Sequence, residues 1–273
     1  IVAAKDAGYD LNASYQCPKE VQVGNRAFQN FESKSQGTLN MKQAIAVSCD
    51  TIWYKIAYDE WVRDGGLTPK SNPHDYFFKA AEKFQMDVKT GIDLPSESAG
   101  RLANRAWRAE WYKQNKNFYC NYTTRAPKSA QTPFLVLLAH ENCIDGDKIR
   151  AGDAVNFSIG QGDTVVTPIK LAQMYAAIAN GGTLWKPTIA KAIISTNGKV
   201  IRTFNPQSQG EIGVDKSVIA FLHDALHEVT VSGTSAPVFS GFPIATAGKT
   251  GTAQVFGTNA NGSAKADTSW YAS

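Results

Sequence analysis

The sequence lacks several features that mark common functional classes. It has no block of lysine and arginine: the 28 basic and 24 acidic residues are scattered along the chain and leave a net charge of +4. Nucleic-acid binding is therefore not expected. The longest clear apolar run, Phe134–Ala139, is far shorter than the roughly 20 residues that a membrane-spanning helix needs. Repeats and low-complexity tracts are also missing, and 43% hydrophobic residues is ordinary for a folded domain.

A phosphate-binding loop is missing too, although Gly248-Lys249-Thr250 has the letters that close one. Such a loop needs a glycine five residues earlier, and that position holds Pro243, which has no N–H and cannot adopt glycine torsions. Small and β-branched residues fill 244–255 instead, which predicts a strand against which a ligand could lie. Glycines at 248 and 251 suit a close backbone approach.

Patterns for metals and nucleotides are incomplete. His223 and His227 lie four residues apart on a predicted helix, but no third ligand accompanies them. Gly160-Gln161-Gly162 begins like a dinucleotide motif, yet Val165 occupies the position of the third glycine. We therefore predict neither a metal nor a cofactor.

Cysteines are few, and the spacing of the four fits no zinc motif. We interpret them as buried free thiols. A bridge between Cys120 and Cys143 is the alternative if the domain lies outside the cytoplasm.

The sequence pattern predicts mainly helices in the first part of the chain and strands at its end. Helices are indicated after the N-cap residue Asn40, from Thr51, over 74–84, after Thr167 and after Asp215. Thr196-Asn197-Gly198 predicts a hairpin. Two strands, 244–255 and 268–273, are expected to pair antiparallel, whereas the aromatic and basic residues 101–133 are interpreted as an extended loop or insertion. This order favours an α+β domain with helices covering a sheet.

Two triplets fit one chemical scheme. Serine-lysine acyl enzymes combine a Ser-x-x-Lys that carries the nucleophile, a Ser-x-Asn and a Lys-Thr-Gly strand. Ser48-Cys49-Asp50 and Lys249-Thr250-Gly251 match the second and third elements. A hydroxyl such as that of Ser48 can pass a proton to a leaving nitrogen, and Asp50 can hold a lysine or a substrate amide. The strand offers Lys249 and hydroxyls to a carboxylate, and the backbone N–H of Thr252 is a candidate oxyanion donor.

With these triplets in place, the chain resembles the transpeptidase domain of class B penicillin-binding proteins over nearly its whole length. The resemblance is carried by MKQAIAVSCDTIWYKIA, GIDLPSESAG, SIGQGDTVVTPIKLAQMYAAIANGG, the SGTS turn at 232–235 and AGKTGTAQVFG. The Ser-x-Asp form is similar to the elongation-type subgroup, penicillin-binding protein 2, which works in lateral wall growth.

The resemblance implies a β-lactamase-like fold, with a five-stranded antiparallel sheet flanked by helices and a helical lobe. It implies D,D-transpeptidation of peptidoglycan stem peptides through a serine acyl-enzyme, inhibition by β-lactams, and a glycosyltransferase partner of the SEDS class. It also implies a membrane anchor that holds the domain at the outer face of the bacterial cell membrane.

The resemblance assigns catalytic roles to Ser48, Asp50 and Lys249 and substrate binding to Thr250, Gly251 and Thr252. No Ser-x-x-Lys precedes Ser48, so we assign no nucleophile within this chain and expect it before Ile1. We expect residues 1–273 to form one transpeptidase domain that is truncated at both ends. The alternatives are a β-lactam sensor or β-lactamase, for which we find no deacylating base, and a non-catalytic wall-binding module.

Overall fold

Helices dominate the structure, a computed structural model that describes residues 1–255, 259, 263 and 265–273. The helices are α1 Val2–Asp6, α2 Met41–Ala46, α3 Asp50–Arg63, α4 Tyr76–Lys83, α5 Arg105–Cys120, α6 Tyr122–Arg125, α7 Pro133–Asp145, α8 Ala151–Ser158, α9 Pro168–Ala179, α10 Lys216–Val231 and α11 Ala236–Phe239. The strands are β1 Ser14–Cys17, β2 Glu20–Val23, β3 Arg26–Gln29, β4 Gly37–Asn40, β5 Thr183–Trp185, β6 Ala192–Ile194, β7 Val200–Thr203, β8 Ser208–Glu211, β9 Lys249–Ala253 and β10 Thr268–Ala272.

Capping residues fix several helix starts where the sequence predicts them. Asn40 accepts a hydrogen bond from the N–H of Gln43, whose side chain in turn accepts from the N–H of Asn40, and this capping box starts α2. Thr167 accepts from the N–H of Lys170 at the start of α9, and Pro168 takes the first helical position. Asp215 precedes α10 as predicted, but its side chain makes no capping bond.

The prediction of an extended loop over 101–133 is wrong, because α5 and α6 lie there. The start of α5 is capped by Asn104, which accepts from the N–H of Trp107 at 3.0 Å. Its one buried residue is Arg108, which forms 3.0 Å ion pairs with Asp153 and Asp163. The helix is polar on average and buries an arginine instead of an apolar stripe, which explains the error.

The strands form antiparallel pairs. The hairpin of β6 and β7 and the pairing of β9 with β10 are confirmed, although β9 is shorter than the predicted 244–255. The predicted five-stranded sheet is not found among the described residues, where five separate two-stranded sheets occur. Among the described strands, β9 pairs only with β10. The earlier strands β1 to β8 pair with one another.

The buried core has two main clusters. One joins α9 and α10 through residues such as Ala177, Ile178 and Leu222. The other joins α1, α2 and α3 through residues such as Met41 and Ile52. Because α2 packs directly against α10, the two clusters form a continuous support under the turn that links α2 to α3.

Helix α10 also holds the segments that follow it. The N–H of Thr234 donates to the carbonyl oxygen of Ala46 at the end of α2, and a Cβ at Gly233 would collide with that oxygen. The hydroxyl of Thr230 donates to the carbonyl of Thr246 at 2.7 Å, and the N–H of Gly248 donates to the carbonyl of Leu226 at 3.0 Å. The segment that leads into β9 is therefore hydrogen-bonded to α10.

All four cysteines are bonded in pairs. The bridge between Cys120 and Cys143, which the sequence left as the alternative, is present and links the end of α5 to α7. The interpretation as free thiols is wrong, since Cys17 of β1 and Cys49 are also bridged. The sequence gives no indication of that second pair because only the folded chain brings β1 to the start of α3.

No described helix combines the length and the apolar composition that crossing a bilayer requires.

Candidate active site

Ser48 lies in the tight turn between α2 and α3. Its N–H donates to the carbonyl of Ile45, and the N–H of Cys49 donates to the carbonyl of Ala44, which is the bonding pattern of a Schellman motif. Ser48 has a φ of +58° at the left-handed position that glycine usually fills. A serine in this conformation is strained, and such strain is characteristic of functional sites.

Lys249 at the start of β9 reaches this turn from the other end of the sequence. Its Nζ donates to Ser48 Oγ at 3.0 Å and to the carbonyl of Thr250 at 2.9 Å. Burial lowers the pKa of Lys249, while the negative charge of Asp50 raises it. The structure thus brings together two residues that are 201 positions apart in the sequence.

Asp50 is the first residue of α3 and faces the same site. Burial raises the pKa of its carboxyl group to about 6, although the charge of Lys249 and a hydrogen bond from the backbone of Phe31 lower it. The structure describes both Asp50 and Lys249, and their charged groups do not approach within the 4 Å of a direct ion pair. The lysine contacts the serine hydroxyl instead. Their interaction is electrostatic over a longer distance.

The remaining predicted residues lie along β9. The hydroxyl of Thr250 forms a 3.0 Å hydrogen bond with the hydroxyl of Thr234 in the turn after α10. Gly251 pairs with Trp270 of β10, and a Cβ at residue 251 would lie 3.4 Å from that of Trp270. Thr252 is exposed and pairs with Ser269. Its proposed oxyanion role stays a prediction.

Gly248 explains how closely the two strands approach. A Cβ at this position would lie 2.5 Å from the Oη of Tyr271 on β10. The expectation of a close approach at residue 248 is confirmed, and any larger residue would displace the start of β9 and with it Lys249.

Three contributors to the site were not predicted as site residues. Asn30 contacts the start of α3, Thr234 contacts Thr250, and Gln161 donates from Nε2 to the carbonyl of Thr252 at 3.0 Å. Gln161 comes from the Gly160-Gln161-Gly162 segment, whose two glycines both have positive φ. The two glycines were the sequence signal that could have identified Gln161, because they indicate a tight turn at the site.

The histidine pair lies on α10 and makes backbone contacts. A ring nitrogen of His223 lies 2.6 Å from the carbonyl oxygen of Ile178, and one of His227 lies 2.7 Å from that of Thr246. These contacts fasten neighbouring segments to the helix.

A cavity of about 310 Å³ borders the site on the side of α5 and α7. Its lining includes Arg108, Trp111, Arg150 and Gln161. Among the described residues that line it, only Gln161 also contacts β9 beside Lys249, at the carbonyl of Thr252.

Comparisons with known proteins show which family the chain is similar to. The sequence profile of the penicillin-binding protein transpeptidase domain matches residues 1–273. The chain is 29% identical over 235 residues to the peptidoglycan D,D-transpeptidase MrdA of Acinetobacter baumannii, covering 84% of this chain and 27% of the relative. It therefore spans about a quarter of the length of that relative.

Solved structures show the same fold. Penicillin-binding protein 2 of Helicobacter pylori, solved in complex with MreC, superposes with a TM-score of 0.66 at 21% identity over 93% of this chain and 38% of that one. A peptidoglycan synthase complex that coordinates polymerization and crosslinking gives a TM-score of 0.64 at 24% identity, over 93% and 35%. The expected α+β fold of the β-lactamase and transpeptidase type is confirmed. The chain belongs to the penicillin-binding protein transpeptidase family.

Proposed function

We propose that the protein to which this chain belongs is a serine-type peptidoglycan D,D-transpeptidase of the elongation type and a target of β-lactams. One observation carries the proposal: the 3.0 Å contact between Lys249 Nζ and Ser48 Oγ joins the second and third elements of the serine-lysine scheme in one site. Residues 1–273 supply these two elements as one transpeptidase domain, and the nucleophile comes from a Ser-x-x-Lys segment that precedes Ile1.

The proposed reaction is an acyl transfer in two steps. The nucleophilic serine attacks the penultimate D-alanine carbonyl of a stem peptide, the peptide bond breaks, and the terminal D-alanine leaves with a proton on its nitrogen. The amine of a stem peptide on a neighbouring peptidoglycan strand then attacks the ester, releases the serine and forms the cross-link. A β-lactam acylates the same serine by opening its ring.

Each described residue has a distinct part in this scheme. The hydroxyl of Ser48 passes the proton to the leaving nitrogen, since it accepts a hydrogen bond from Lys249 and keeps its own proton to donate. Lys249 and the hydroxyl of Thr250 bind the substrate carboxylate. Asp50 favours the charged form of Lys249, because its negative charge raises the lysine pKa against the larger, lowering effect of burial. Gly251 and Thr252 present the strand edge, with the N–H of Thr252 as one oxyanion donor.

Location and partners follow from the same proposal. The two disulfides fit a domain outside the cytoplasm, where thiols are oxidised. We place the domain at the outer face of the bacterial membrane, held by a preceding anchor. Because solved relatives include a complex with MreC and a synthase that coordinates polymerization with crosslinking, we propose a SEDS-type glycosyltransferase as its partner in wall elongation.

The function is tested by labelling the complete protein, including the residues before Ile1, with a fluorescent penicillin. Wild-type protein should label covalently, and Lys249→Ala should lose the label because the charge that faces the ligand carboxylate is gone. Lys199→Ala, at an exposed lysine of the β6–β7 hairpin, is the matched control and should label normally. Near-normal labelling of folded Lys249→Ala would show that this site does not bind the antibiotic. A complete protein that has no Ser-x-x-Lys and takes no label would instead be a non-catalytic wall-binding module.

A further inference from the structure

The start of α3, which carries Asp50, is held by a residue from another part of the chain. Cys49 occupies the N-cap position but makes no side-chain capping bond, because its sulfur is bonded to Cys17. The free N–H groups of Asp50 and Thr51 donate instead to Asn30 Oδ1 at 2.9 and 3.0 Å. Asn30 thus supplies the helix cap from 20 residues upstream.

Asn30 is itself held on its other side. It is 5% exposed, and its Nδ2 donates to the carbonyl oxygens of Pro18 and Lys34, both at 2.9 Å, and to Cys17 Sγ at 3.2 Å. The backbone of the next residue, Phe31, lies near enough to the Asp50 carboxyl to lower its pKa. One short segment therefore holds the backbone of Asp50 and adjoins its side chain.

The Cys17–Cys49 disulfide makes the same connection covalently. Both cysteines are buried, at 0% and 1% exposure. Cys49 lies directly between Ser48 and Asp50, so the bridge ties the centre of this triplet to the end of β1. The hydroxyl of Thr51, also buried, donates to the carbonyl of Pro18 at 2.9 Å and closes the arrangement.

We propose that Asn30 and the Cys17–Cys49 bridge act as a positioning unit, which sets Ser48 and Asp50 at their working distance from Lys249. The inference rests on the proposed function. The positioning unit acts through the active-site residues and does not itself need to touch the substrate. A displacement of about 1 Å in such a site can reduce a rate by up to about 100-fold.

The chain offers a matched control that separates positioning from general stability. Cys17–Cys49 and Cys120–Cys143 close loops with sequence separations of 32 and 23. Because loop-closure entropy depends only weakly on loop length, their removal should destabilise the fold to a similar extent. The second bridge joins α5 to α7, and in the part of the chain that the structure describes its cysteines contact residues of these two helices and not the site residues.

The experiment follows the acylation of the complete protein by a fluorescent penicillin over time. It compares wild type with Asn30→Ala, Cys17→Ala/Cys49→Ala and Cys120→Ala/Cys143→Ala. Two quantities are read separately: the acylation rate constant and the final labelled fraction. Molecules that have lost the fold irreversibly lower the labelled fraction and leave the rate constant of the folded molecules unchanged, whereas mispositioning lowers the rate constant and leaves the fraction near that of wild type.

We expect the rate constant to fall about 10- to 100-fold in Asn30→Ala and in Cys17→Ala/Cys49→Ala. In Cys120→Ala/Cys143→Ala it should stay within about twofold of wild type. If the Cys17→Ala/Cys49→Ala variant does not fold, Asn30→Ala still decides the question, since it keeps both bridges.

The two proposals fail in different ways. Wild-type protein that takes no label overturns the proposed function and this inference with it. Labelled wild type with unchanged rate constants in Asn30→Ala and Cys17→Ala/Cys49→Ala overturns only the positioning role. Equal rate losses in both disulfide variants would show that bridge removal acts through the fold as a whole.

Discussion

Replacing Asp50 by asparagine should stabilise the fold at neutral pH. Burial raises the pKa of Asp50 from 3.8 to about 6, and the charge of Lys249 only partly offsets this effect. The folded state therefore holds the proton more tightly than the unfolded state does. The cost of ionising Asp50 in the folded state grows as the pH rises from 3.8 and is complete above about pH 6, and a neutral asparagine avoids it.

The size of the effect follows from the pKa shift. A shift of about two units corresponds to at most about 3 kcal/mol of added stability for Asp50→Asn at pH 7.5. The added stability should fall to about 1.6 kcal/mol at pH 5 and about 0.6 kcal/mol at pH 4. The folded wild type binds more protons between pH 3.8 and about 6, so its stability from this group decreases as the pH rises through that window.

Equilibrium urea unfolding of wild type and Asp50→Asn at pH 7.5, 5 and 4 measures this difference. Asp224→Asn, which removes an exposed carboxylate on α10, is the control for a general change in net charge. The reasoning fails if Asp50→Asn is no more stable than wild type at pH 7.5. It also fails if the gain is the same at all three pH values.

Three further predictions concern Ser48, Asp50 and the nucleophile. In the complete protein, Asp50→Asn should be acylated much faster than Asp50→Leu, because leucine leaves buried polar partners unpaired at a cost of about 1–3 kcal/mol. Equal acylation rates would show that residue 50 does not belong to the site. Ser48→Gly should be about 1 kcal/mol more stable than Ser48→Ala in thermal unfolding, because glycine adopts the left-handed conformation without strain, and equal stabilities would contradict the strained turn. Residues 1–273 alone should gain no mass on incubation with excess penicillin, as measured by intact-protein mass spectrometry, and an adduct on any of their serines would show that the nucleophile was misassigned.

The sequence predicts the local features of this fold well. The capping signals at Asn40 and Thr167 and the Asn-Gly hairpin depend on neighbouring residues, and all three appear as expected. The failure over 101–133 has a physical cause, because α5 buries Arg108 against two aspartates and shows no apolar stripe.

The candidate site could be predicted only as two separate triplets. Motif spacing identifies Ser48 and Lys249, but their contact depends on how α2, α10 and β9 pack together. Asn30 could not be found from the sequence, since an asparagine that caps a helix 20 residues away has no local pattern. The Cys17–Cys49 bridge was missed for the same reason, because cysteine spacing does not determine pairing.

Helix α10 has a consequence for motion in the site. It packs against α2, whose end carries the Ser48 turn, and it holds Thr246 and Gly248, which lead into Lys249. Both halves of the site are thus attached to one rigid element. A displacement of α10 should carry Ser48 and Lys249 in the same direction, so we expect their separation to fluctuate less than either position does. Two groups that come from distant parts of the chain can in this way keep hydrogen-bonding distance when their surroundings shift.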